Sequence, residues 1–74
     1  MMEKTKIGLN AGKVWRTLHE KGELSIFDLC RELSLTFEDV ALAIGWLARE
    51  DKIFLRKREG MLFASIENVE FTFG

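Results

Sequence analysis

The chain has 74 residues, so it is at most one domain, and a core of that size stabilises it only modestly. Its 47% hydrophobic and 31% charged residues argue against disorder, and a formal net charge of −1 lacks the basic balance usual in dedicated nucleic-acid binders. No apolar run approaches the ~18 residues of a membrane span, and the start does not read as a signal peptide, so a cytoplasmic protein is expected.

Asn10 is the expected N-cap of a first helix. Ala11, Val14, Trp15 and Leu18 recur at helical spacing as its buried side, with Lys13, Arg16 and Glu20 opposite. Lys21-Gly22 closes it, a cation in the last turn followed by a glycine able to turn left-handed. Glu23-Leu24-Ser25 suits one short strand. Ser25 and Asp28 have capping-box spacing, and Ile26, Leu29, Cys30 and Leu33 make one stripe of a second helix. Cys30 is the only cysteine and reads as a small buried hydrophobe. Thr36 caps a third helix after a three-residue turn in which Leu35 plugs the junction, which is helix-turn-helix geometry.

Phe37, Val40, Ala43, Ile44 and Leu47 line the inner face of that third helix. The period then becomes alternating, giving strands over 53–57 and 61–66 with Arg58-Glu59-Gly60 as the hairpin loop. In the tail over 67–74, Val69, Phe71 and Phe73 alternate with polar residues as in a half-buried strand that needs a partner surface, either its own domain or a second copy.

Helix, short strand, helix, tight turn, helix and hairpin make an α+β chain that resembles the winged helix-turn-helix. The segment Ala41–Leu55 resembles the end of the third helix and first wing strand of many bacterial winged helix domains, with Asp51-Lys52 where glycine is common. Together with Ala11–Leu29 it is similar to a small family of stand-alone bacterial winged helix proteins. The resemblance covers about residues 8–66 of the single domain. It implies a regulator-like fold and carries over no catalytic residue and no ligand site.

Bases are read in the major groove by Arg, Lys, Asn or Gln. The outward positions of the third helix are instead Glu38, Leu42, Gly45 and Arg49, with Asp39 and Trp46 on the flank. Candidate phosphate contacts are Arg49 and the wing cations Arg56, Lys57 and Arg58, with alternation sending Arg56 and Lys57 to opposite faces. The candidate protein interface is Leu42, Trp46, Val69, Phe71 and Phe73, the alternative for Trp46 being that it packs under the wing or against the first helix. His19 is the sole histidine and lacks companions at ligand spacing, so no metal, cofactor, small-molecule ligand or catalytic set is expected. The reading is a non-enzymatic module that homodimerises. The alternative is a DNA-binding regulator relying on wing cations, with weak, non-specific binding.

Overall fold

The computed structural model describes residues 3–67. Three helices precede a hairpin: α1 is Glu3–Lys21, β1 Leu24–Ser25, α2 Ile26–Leu33, α3 Phe37–Arg49, β2 Phe54–Arg58 and β3 Met61–Ser65. The strands form one antiparallel sheet in the order β1-β3-β2. This is the winged helix arrangement expected from the sequence.

The expected start of the first helix needs correction. Asn10 is not a cap; it lies inside α1 and is buried at 5% exposure. Glu3 supplies the acidic first turn seven residues earlier. Gly8, Asn10 and Gly12 are poor helix formers, so this stretch reads weakly by local propensity, and packing against α3 carries it. At the other end Gly22 takes φ 84 and donates its N–H to the Leu18 carbonyl at 2.8 Å.

The cap of α2 is a complete capping box: the Ser25 hydroxyl accepts from the Asp28 N–H at 3.0 Å, and the Asp28 carboxylate accepts from the Ser25 N–H at 3.3 Å. These bonds hold the Asp28 carboxyl below its ordinary range. Ser34, left-handed at φ 54, ends the helix, and the Leu35 N–H donates to the Cys30 carbonyl at 3.1 Å. Thr36 then caps α3 through the Asp39 N–H at 3.1 Å.

Helix α3 stops in a Schellman turn. Lys52 N–H donates to the Leu47 carbonyl at 3.0 Å and Asp51 N–H to the Ala48 carbonyl at 3.1 Å, with Asp51 left-handed at φ 58. Asp51 therefore stands where glycine is sterically preferred, and its short polar side chain is among the few that tolerate the position. The hairpin register pairs Arg58 with Met61 around Glu59-Gly60, whose φ values of 51 and 78 define a type I′ turn.

Val14 and Leu18 of α1, Leu29 of α2 and Val40 of α3 are fully buried, joined by Ile26, Ala43, Ile44, Leu47, Ile53 and Ala64. Leu35 packs on this cluster from the turn, as expected. Two aromatic residues expected inside, Trp15 and Phe37, are not, and Phe27 is exposed with them. Trp15 sits about 100° around α1 from Val14, off the stripe, and stacks on His19 with ring centroids 5.3 Å apart. Phe27 and Phe37 occupy first turns, ahead of the buried Leu29 and Val40, and stack on each other at 5.8 Å while 56% and 54% exposed. Cys30 is half-buried at the core edge.

Candidate interaction surfaces

The outward face of α3 exposes Glu38, Leu42, Gly45 and Arg49, and Asp39 and Trp46 flank it. At its N-terminal end Asp39 pairs with Lys6 of α1 at 3.5 Å. That contact places the start of α1 beside the start of α3 and neutralises one N-terminal cation. Arg49 is exposed at the far end. The face is acidic at its start, apolar in the middle and basic only in its last turn.

In the wing, Arg58 is not in the hairpin loop as expected. The two-residue type I′ turn is tight enough to leave it in β2, so alternation puts Arg56 and Arg58 on one face and Lys57 on the other. Glu23, between α1 and β1, reaches that shared face. Its carboxylate accepts from Arg56 Nε at 2.7 Å and Nη2 at 2.9 Å, and Arg58 Nη2 lies 3.6 Å away. The bidentate bond to Arg56 is the main cause that holds the Glu23 carboxyl below its ordinary range. Arg58 also lies over the Phe63 ring, 4.3 Å from its centroid. Two of the three wing cations are thus engaged within the domain itself, while Lys57 is exposed. Glu23 was not a sequence candidate. Its part is visible only once β3 is seen to lie between β1 and β2.

A groove of about 670 Å³ runs between α1 and α3. Gly8, Gly12, Trp15 and Arg16 line it from α1, Trp46 and Leu47 from α3, and Glu50, Lys52 and Ile66 also belong to the lining. Trp46 packs on the core edge and faces α1 across this groove. A Cβ added at Gly8 or Gly12 would meet nothing within 4 Å. Val69, Phe71 and Phe73, with the strand expected for them, lie outside the described residues. Among the described residues no group of three or more His, Cys, Asp or Glu is placed to hold a metal ion, and no helix is long and apolar enough to cross a membrane.

A family model for a winged helix-turn-helix domain, DUF2582, matches residues 2–66. The chain belongs to this family. A solution structure of protein BT2368 from Bacteroides thetaiotaomicron is similar to this DUF2582 domain over 99% of the chain and 90% of its own, with 43% identity and a TM-score of 0.81. Uncharacterized protein MJ1608 of Methanocaldococcus jannaschii is 46% identical over 54 residues, 70% of this chain and 77% of that one. The crystal structure of a transcriptional regulator, HlyU from Vibrio vulnificus, superposes with a TM-score of 0.70 at 25% identity, covering 90% of this chain and 75% of that one. The likeness spans bacterial and archaeal proteins.

Proposed function

We propose that this DUF2582 domain is a non-enzymatic, cytoplasmic protein-interaction module that assembles as a homodimer. One observation carries the reading: Glu23 holds the wing arginines, while the outward face of α3 presents Leu42, 46% exposed, beside Trp46. A surface of this kind favours apolar contact over phosphate contact. The interface would join Leu42 and Trp46 to Val69, Phe71 and Phe73. Analytical ultracentrifugation of the full chain is the test. A dimer at micromolar concentration is expected, and a monomer at high micromolar concentration would sink the reading.

A second reading is DNA binding, favoured by the likeness to a protein titled a transcriptional regulator. Contacts would come from Arg49 and Lys57, with Arg58 contributing when Glu23 releases it and the clamped Arg56 as the remaining wing candidate. Binding of this origin positions a duplex without reading it, and it falls steeply with salt. Sequence-selective binding at physiological salt would make this the primary function.

A further inference from the structure

We infer that the groove between α1 and α3 is the seat of the C-terminal segment, residues 68–74, of a second copy of this chain. This rests on the homodimer reading and names its seam. Gly8 and Gly12 sit one helical turn apart on the wall of the groove. Glycine is the least favourable ordinary residue in a helix interior. Neither glycine is needed for room within its own protomer, because a Cβ there meets nothing within 4 Å. A bare strip of backbone beside Trp15 and Trp46 instead suits close approach by another chain.

The segment fits the strip in length, charge and position. Val69, Phe71 and Phe73 span four residues, about 13 Å in extended form. From Gly8 to Trp15 is seven helical residues, about 10 Å. Of the charged residues on the lining, Glu50 and Lys52 pair with each other at 3.8 Å, Arg16 has no ion pair among the described residues, and the segment carries Glu70. Ile66 lines the groove, and Glu67, the last described residue, follows it outside the lining. When two protomers meet groove to groove, each segment starts near the groove of the other. The exchange is reciprocal and closes under a twofold axis. Two phenylalanines and a valine bury roughly 450 Å² per segment, roughly 900 Å² for the two segments related by symmetry before the groove walls are counted.

Trp15 and Trp46 are the only two tryptophans of the chain, so intrinsic fluorescence reads the groove directly. The test measures sedimentation and acrylamide quenching on a dilution series of the full-length protein, Gly12→Leu and Phe71→Ser/Phe73→Ser. A Cβ at Gly12 meets nothing within 4 Å and leucine favours the helix more than glycine, so Gly12→Leu is expected to fold and to fill the groove whatever the double variant does. The wild type is expected to dimerise with both tryptophans shielded until dilution. Either variant is expected to dimerise at least roughly tenfold more weakly and to quench like the dilute wild type. A wild-type dimer that neither variant weakens overturns this seat and leaves the homodimer standing. A wild-type monomer whose tryptophans lose shielding only in Phe71→Ser/Phe73→Ser places the segment in its own groove, overturning both. A monomer with tryptophans equally quenched in all three also overturns both.

Discussion

Glu23→Gln separates the two functional readings. Glu23 and Arg56 side chains are 15% and 30% exposed, so the pair is screened by water on one side. Its bidentate geometry puts its worth near the upper end for such pairs, about 1 kcal/mol. The variant should therefore stay folded with a Tm roughly 4–8 °C lower. Losing the carboxylate makes the Arg58 guanidinium available to phosphate. It adds about 0.9 to the slope of log K against log salt, which means roughly 3.5-fold more affinity lost between 50 and 200 mM salt than in the wild type. Fluorescence anisotropy with a labelled duplex across that salt range is the assay, with thermal melting as the folding control. An unchanged slope in a folded variant would refute the idea that Glu23 masks a phosphate-facing wing.

Three further outcomes follow from the geometry. Leu29→Ala, at a site with 0% exposure, should cost about 3–4 kcal/mol and leave the domain largely unfolded at 37 °C by circular dichroism; a loss below about 1 kcal/mol would mean the site collapses freely. Asp51→Gly should stabilise by about 0.5–1 kcal/mol in urea titration by relieving the left-handed residue of the Schellman turn, and destabilisation would show that the carboxylate has another role. Glu23 and Asp28 both have folded pKa values below their unfolded ones, so their stabilisation is present above about pH 4 and lost as pH falls through the folded values. Urea midpoints at pH 6 and pH 3 should therefore fall less in Glu23→Gln than in the wild type, and equal falls would sink the assignment.

Much of the fold could be read from local chemistry. Ser25 with Asp28, Thr36 with Asp39, and Gly22 are short-range devices, and each acts where the sequence puts it. The inner face of α3 was legible for the same reason, since Val40, Ala43, Ile44 and Leu47 keep helical period. What local chemistry could not supply was competition between good candidates. Trp15, Phe27 and Phe37 are as apolar as any core residue, but the stripe fills with smaller neighbours and leaves them outside. The start of α1 was hidden because Gly8 and Asn10 argue against a helix that tertiary contact imposes. The outward positions Glu38, Leu42, Gly45 and Arg49 were placed correctly by 100° steps. The clamp of Glu23 on Arg56, 33 residues apart, was illegible because it depends on strand order.

The left-handed residues bear on how the domain meets anything at all. Among the described residues, Gly22, Ser34, Asp51 and the Glu59-Gly60 pair turn the chain at four of five corners, and the fifth, between β1 and α2, is the Ser25 cap itself. Each corner takes only a few residues. Within residues 3–67 no connection is long enough to drape over a ligand or reshape around a partner. This part of the molecule therefore recognises as a rigid stamp. Its association rate is limited by finding the right orientation, not by ordering a loop, and little entropy is lost on docking.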